Sequence, residues 1–215
     1  QNLFNNLLPE LVDSLSSTDY WESSPQYGRG NPKHQFTGDA HYWGVWHDEE
    51  PFENFEKKVP RFMSEYGFQS FPEMDAIELY ALEEDFDLDS EVMKVHQKHP
   101  RGNNLIEEHM LRDYNEPVDF ESFVYLSQIV QAEGMRIGME AHRRARPYNM
   151  GTLYWQFNDC WPVASWSSRD YYGNWKALHY TVKRSYEDLL ISTVQSKDSI
   201  FIHLINDKSE NQDYD

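Results

Sequence analysis

The sequence predicts an α/β fold in which short parallel strands alternate with helices, closed by a β-rich module at the C-terminal end. Four short apolar or aromatic runs, at 20–23, 39–46, 61–66 and 152–157, read as strands, each followed by loop-forming residues. Between the third and fourth lies a helical pattern at 120–146. From Ile191 the apolar period changes to two, which marks a separate unit. Strands alternating with helices point to βα units, and long segments between strands suit an α/β barrel, whose βα loops carry the site.

Taken in order, the chain opens at Gln1 directly in a helical pattern, with Leu3, Phe4, Leu7, Leu8 and Leu11 on one face and Pro9 placed to kink it. Such an opening reads as part of a longer polypeptide, whose export signal, if it has one, lies outside these residues. The stretch 73–117 is long, acidic and weakly periodic; it reads as an elaborated loop after the third strand, with a short helix at 90–98. The 120–146 helix has Phe123, Leu126, Ile129, Val130, Ile137 and Ala141 on its apolar face. Arg143, Arg144 and Arg146 suit its C-terminal dipole, and Pro147 stops it. A further helix is predicted at 175–189 after the turn Tyr172-Gly173-Asn174, and a hairpin at 191–205 turns at Lys197 and Asp198. The division is therefore 1–189 for the α/β unit and 190–215 for the first strands of a β-domain.

Composition narrows the function. With 19 Lys and Arg against 37 Asp and Glu the formal charge is −18, and no basic stripe is present to replace phosphate counterions. Nucleic acid, anionic membrane surfaces and acidic polymers are poor partners for such a chain, and a neutral substrate fits better. Cys160 is the single cysteine, so neither an intrachain disulfide nor a thiolate cluster can form. No apolar run is long enough for a membrane span.

Glu65 is the leading candidate for chemistry. It ends the third strand, two residues before Gly67, and strand-end carboxylates of α/β barrels point into the mouth where catalytic groups converge. The structural alternative is a buried Glu paired with an Arg. Trp43, Trp46, Trp155, Trp161 and Trp166 crowd the other strand ends beside Asp39, His41, Asn158 and Asp159. Aromatic faces next to hydrogen-bonding groups suit sugars; for any one Trp, a core position is the competing reading. His34, His41 and His47 lack the spacing of a metal site, so no metal is expected and no cofactor. The segment 27–30 (YGRG) is not a phosphate loop, and Ser14, Ser16, Ser17 and Ser64 sit in no nucleophile elbow. The acidic run 83–89 reads as a solvated face.

Four segments together resemble one family. PRFMSEYGFQSFP at 60–72 resembles the nucleophile segment of the β-mannosidases of glycoside hydrolase family 2. GDAHYWGVWH at 38–47 resembles the preceding barrel strand, GTLYWQFNDCWP at 151–162 the final strand and its loop, and DYYGNWKALH at 170–179 the lead into the last helix. The resemblance implies a (β/α)8 barrel, of which this chain holds strands five to eight, followed by the start of a β-sandwich. It implies retaining hydrolysis of terminal β-D-mannose residues from a β-mannoside or manno-oligosaccharide. Glu65 then matches the family nucleophile and Trp155 a tryptophan lining the mannosyl subsite, with Tyr42, Trp43 and His41 as pocket residues.

The family's acid/base, a Glu after an Asn at the end of the fourth strand, has no counterpart here; Asn115-Glu116 follows the nucleophile strand instead of preceding it. The chain alone is therefore expected to be nearly inactive and, as half a barrel, prone to self-association. Periplasmic, secreted or lysosomal residence is what the resemblance suggests. Three alternatives stay open: a β-galactosidase or β-glucuronidase relative, a carbohydrate-binding module, and an inert structural piece.

Overall fold

A computed structural model describes residues 2–208. Its first helical stretch is a π-turn at Leu3–Leu7 running into helix α1 (Leu8–Leu15), with Pro9 in the first turn of α1. Pro9 brings no N–H and its ring presses on the preceding turn, which is where the helix widens. Leu3, Phe4, Leu7, Leu11 and Leu15 are all exposed on it. The run at 20–23 is not a strand: Tyr20–Ser23 pair with no neighbour and are mostly exposed.

The centre is a short parallel sheet. Strand β1 (Ala40–His41) pairs with β2 (Met63–Glu65) in the register Ala40 to Met63 and His41 to Glu65, with an irregularity between the two pairs. Met63 is bridged on its other side to Thr152, also in parallel. The ladder continues through Leu153 N–H to the Met63 carbonyl (2.8 Å) and Trp155 N–H to the Tyr66 carbonyl (2.8 Å). Three of the four expected strands thus lie side by side, but much shorter than the apolar runs suggested. The 39–46 run leaves the sheet after His41 and enters helix α2 (Gly44–His47), and the 152–157 run keeps only the bridge at Thr152.

Helices cover this sheet: α2 and α3 (Asn54–Lys57) between β1 and β2, then α4 (Met74–Ile77), α5 (Glu91–Val95), α6 (Gly102–Asp113) and α7 (Phe120–Arg144), and α8 (Ala177–Ser185) after the third segment. The 73–117 stretch is more ordered than its sequence suggested. In α6 the buried residues Leu105, Ile106, His109 and Met110 follow a helical period that the charged residues between them disguise. Helix α7 is capped by Asp119, whose carboxylate accepts from Ser122 N–H (2.8 Å) while Ser122 Oγ accepts from Asp119 N–H (3.0 Å). It ends at Arg144, short of 146, because a residue preceding proline avoids the helical region. Gly134 and Gly138 let α7 sit against the sheet side: an added Cβ at 134 would fall 2.1 Å from Phe52 and one at 138 2.8 Å from Tyr66. Helices α7 and α8 pack on each other.

The buried centre is aromatic, with Trp46, Phe55, Tyr66, Phe68 and Phe71 all fully inside together with Met63, Ile77, Met110 and Met135. At the C-terminal end, β3 (Leu189–Ser196) and β4 (Ser199–Asn206) form an antiparallel hairpin around Lys197, which has a positive φ of 51°. Residues 209–215 lie outside the described residues. The hairpin is tied to α7 by Ser192 Oγ, which bonds Glu140 and Arg144, and Arg143 holds the chain leading into it by donating to the Ser185 and Glu187 carbonyls. Among the described residues no helix is long and apolar enough to cross a membrane.

Candidate active site

The end of β2 places Glu65 at the rim of the sheet with its carboxylate partly exposed. Two side chains of the β1 region hold one of its oxygens. His41 Nδ1 lies 2.9 Å from Oε2, and the Trp43 indole N–H donates to the same atom at 3.0 Å. The parallel register puts His41 directly beside Glu65, and the turn into α2 brings Trp43 round to the same oxygen. Oε1 has no partner among the described residues, so one oxygen is anchored and the other is available. A proton on His41 Nδ1 is what this contact requires, whichever form the rest of the ring takes.

Behind His41 stands Asp39. Its Oδ2 accepts from Ser24 Oγ (2.5 Å) and Ser64 Oγ (2.5 Å), and Ser24 Oγ also lies 3.4 Å from His41 Nε2. Burial alone would raise the Asp39 carboxyl, but the two hydroxyls outweigh it and hold the group below its ordinary value. Asp39 is thus an anion two contacts behind Glu65, set to orient the imidazole between them. Ser64, dismissed in the sequence as a nucleophile, is one of its anchors.

Gly67 closes the site on the other side. An added Cβ there would fall 2.2 Å from the Trp155 carbonyl and 3.3 Å from the Trp166 ring. Only glycine allows the chain leaving Glu65 to pass this close to the 152–157 segment. The Trp155–Gln156 peptide is cis, and the Trp155 side chain is 44% exposed beside this crossing. Trp166 sits edge-on to Trp43 at 6.0 Å and to Trp46 at 5.5 Å.

Of the residues singled out in the sequence, Glu65, His41 and Trp43 are in direct contact, and Trp155 is an exposed ring on the neighbouring segment. Tyr42 is not brought to the carboxylate. It is buried against Phe55 at 5.8 Å, and its hydroxyl donates to Glu50, so its expected place in the pocket is corrected to one in the core. Burial, with Glu50 beside it, raises its phenol well above the ordinary range. Trp46 is wholly buried and Trp161 packs near His96, away from Glu65. Asp159 is buried, accepting from Ser165 and Ser167. Glu116 lies in the α6–α7 connection and lines a different cavity. Among the described residues no three His, Cys, Asp or Glu side chains are grouped to hold a metal ion.

Two imidazoles that sequence reasoning treated only as metal candidates, or passed over, extend the site. His47 lies 5.7 Å from Trp43, and His99 lies 5.6 Å from His47 and 6.3 Å from Trp166, ring centre to ring centre. His47 reaches Trp43 locally, one turn further along α2, whereas His99 is brought to His47 and Trp166 by the 73–117 excursion folding back, which no local pattern announces.

No family model matches the chain. It is similar to curated proteins named β-mannosidase B: 34% identical over 188 residues to that of Aspergillus terreus, covering 85% of this chain and 22% of that protein. The Emericella nidulans protein of the same name is 33% identical over 195 residues, covering 88% and 23%. The chain therefore spans less than a quarter of the length of the curated relatives it matches. A solved β-D-mannosidase from Dictyoglomus thermophilum superposes with a TM-score of 0.91 at 34% identity, over 97% of this chain and 26% of that one. An exo-chitosanase of Amycolatopsis orientalis superposes with a TM-score of 0.64 at 20% identity, over 90% and 24%, a likeness of fold alone.

Proposed function

We propose that the chain is one segment of a β-mannosidase of glycoside hydrolase family 2, and that Glu65 is the nucleophile of this retaining exo-β-mannosidase. The observation that carries this is the Glu65 carboxylate at a strand end, with one oxygen fixed by His41 and Trp43 and the other unengaged. A nucleophile needs that asymmetry: enough hydrogen bonding to aim it, and a free lone pair on the attacking atom.

In the first step Glu65 attacks the anomeric carbon while an acid on the opposite side protonates the departing oxygen, giving a mannosyl-enzyme ester and the free alcohol. Water, deprotonated by the same group, then releases mannose with retained configuration. The acid/base belongs to a carboxyl outside these 215 residues, placed about 5–5.5 Å from Glu65 as retaining enzymes require. Residues 1–189 then form the second half of a (β/α)8 barrel, strands five to eight, and 190–215 open a β-sandwich. The parallel order of β1, β2 and the 152 segment, with covering helices, supports this. Trp155, Trp43 and His41 face the mannosyl unit, while Tyr42 supports them from the core. Alone, the chain leaves sheet edges unpaired and self-associates, which sedimentation of the isolated chain would reveal.

The direct test is trapping. A 2-fluoro-mannosyl fluoride forms the ester but slows its hydrolysis, so digestion and mass spectrometry of the intact enzyme should place the adduct on the peptide containing Glu65. An adduct on any other carboxylate removes Glu65 from the role.

A further inference from the structure

A cavity of about 500 Å³ opens between the 86–89 turn, the start of α6 and the start of α7. This is the size of a small-molecule site, roughly 300–1,000 Å³. Its lining combines aromatic surface from Phe86 and Phe120 with hydrogen-bonding groups from Gln97, His99, Asn104 and Glu107. Glu65 does not line it, so by itself the cavity is unrelated to the proposed chemistry.

His99 joins the two. It lines the cavity and also ends the row of rings that starts at the Glu65 carboxylate: Trp43 donates to Glu65, His47 is 5.7 Å from Trp43, and His99 is 5.6 Å from His47. Trp166 offers a second route, 6.0 Å from Trp43 and 6.3 Å from His99. Each step is on the scale of one pyranose ring. Partial burial holds both imidazoles below their ordinary range, helped at His47 by the Arg29 and Arg101 guanidinium groups and at His99 by His47 and Arg101, so near neutral pH they meet a ligand uncharged, with His99 offering its Nε2–H as a donor. His99 Nδ1 is taken by Arg101 N–H at 3.2 Å, while Nε2 has no partner among the described residues.

The charge around the cavity limits its ligand. Asp89 pairs with Lys94, Asp87 accepts from Asp89 N–H, and Asp119 caps α7, so these carboxylates are already engaged. Glu107 and Glu116 remain, which disfavours an anionic ligand and suits the hydroxyls of a neutral sugar. Asn104 is exposed at the mouth and its amide makes no hydrogen bond among the described residues.

We propose that this cavity is a distal sugar subsite: a neutral β-linked oligosaccharide with its terminal unit at Glu65 runs across Trp43, His47 and His99 and places a later unit between Phe86 and Asn104. This rests on the reading of Glu65 as the centre of a mannoside pocket, and it adds a preference for chains over single glycosides.

The test uses the intact enzyme carrying this chain, with β-1,4-linked mannobiose through mannohexaose as probes. Calorimetric titration of the Glu65→Gln variant reads binding without turnover. Mannotetraose should bind about tenfold more tightly than mannobiose, the gain expected of a few added hydrogen bonds and one stacked ring. Asn104→Trp, which fills the mouth from an exposed helix position, should erase that gain, and Asn104→Ala should reduce it. Hydrolysis of an aryl β-mannoside by the Asn104 variants should stay within about twofold of the parent, because one glycosyl unit does not reach the cavity. Equal affinity for biose and tetraose overturns the proposal, as does a gain that survives Asn104→Trp. Absence of aryl β-mannoside hydrolysis in the parent would instead defeat the reading of Glu65, and the titration would still decide whether the cavity holds a sugar chain.

Discussion

The two sheets of this chain differ in a way that backbone pairing does not explain. The hairpin β3–β4 has eight residue pairs in unbroken register, yet Ile191, Ile200, Phe201, Ile202 and Leu204 are exposed. The sheet of β1, β2 and Thr152 has barely any regular ladder, but Ala40, Met63, Tyr66 and Phe68 around it are buried to within 1% of complete exclusion. Hydrogen bonds add little net stability compared with buried apolar area. The short sheet is therefore the rigid one, and it carries Glu65. A site built on a packed element holds its geometry better than one on a loop or a bare hairpin.

The largest effect expected from that difference is at Glu65. Glu65→Gln keeps the shape and both hydrogen bonds' heavy atoms but removes the nucleophile, so kcat on an aryl β-mannoside should fall by on the order of 10⁴-fold or more in the intact enzyme. Thermal stability should be almost unchanged. A variant that retains a tenth of the parent rate would show that the packed sheet positions something other than a nucleophile.

Next is Gly67. Adding a methyl against the Trp155 carbonyl, 2.2 Å away, requires β2 and the 152–157 segment to separate. Gly67→Ala should cost about 2–4 kcal/mol in urea unfolding, at the upper end for overpacking because the obstacle is backbone. Trp43→Phe is milder: it keeps the ring but removes the N–H that fixes Glu65 Oε2, and should lower kcat about 10-fold to 100-fold, with the fold intact.

These predictions also separate what the sequence made legible from what it hid. The α/β class, the long α7, the terminal hairpin and the strand-end position of Glu65 could be read from periodicity and punctuation, because each is local. Strand lengths could not. The runs at 39–46 and 152–157 stay apolar after leaving the sheet, since Trp46 continues into the aromatic centre and Trp155 turns toward the rim; apolar sequence reports burial or contact, not ladder pairing. Tyr42 was misplaced for the same reason, its neighbours His41 and Trp43 both reaching Glu65 while its own ring enters the core. His99 was invisible because its relation to Trp166 depends on contact between segments far apart in sequence.

Buried Lys176 gives a subtler comparison of the two sheets. Its ammonium donates to the Ser70 carbonyl (3.0 Å) and the Ser165 carbonyl (3.1 Å), bracing the packed sheet's loops, with no carboxylate in contact among the described residues. Full burial lowers its pKa to about 7, against partial support from Asp159 and Asp170. The folded chain therefore sheds this proton near pH 7, whereas the unfolded chain holds it to its ordinary value of 10.5. Between those limits the unfolded state binds more protons, so Lys176 makes stability rise with pH; below about 7 the cost of the buried charge is fully present. The slope is at most about 1.4 kcal/mol per pH unit. Urea unfolding of parent and Lys176→Met at pH 7, 8 and 9 should show the parent gaining on the variant at each step. Parallel pH curves would mean that the ammonium remains charged in the fold.

The smallest effect belongs to the hairpin. Ile202 is 72% exposed, so Ile202→Thr removes little buried area, and β-branched threonine keeps the strand preference. In the 215-residue chain the cost should stay within about 0.5 kcal/mol, as for surface positions generally. The same substitution in the longer enzyme discriminates more sharply. A β-sandwich closing over this hairpin would bury Ile202, and removing its apolar surface there should cost about 1–2 kcal/mol. Equal, negligible costs in both settings would leave the hairpin's apolar face uncovered in the whole protein, and the assignment of 190–215 to a sandwich would then have to be abandoned.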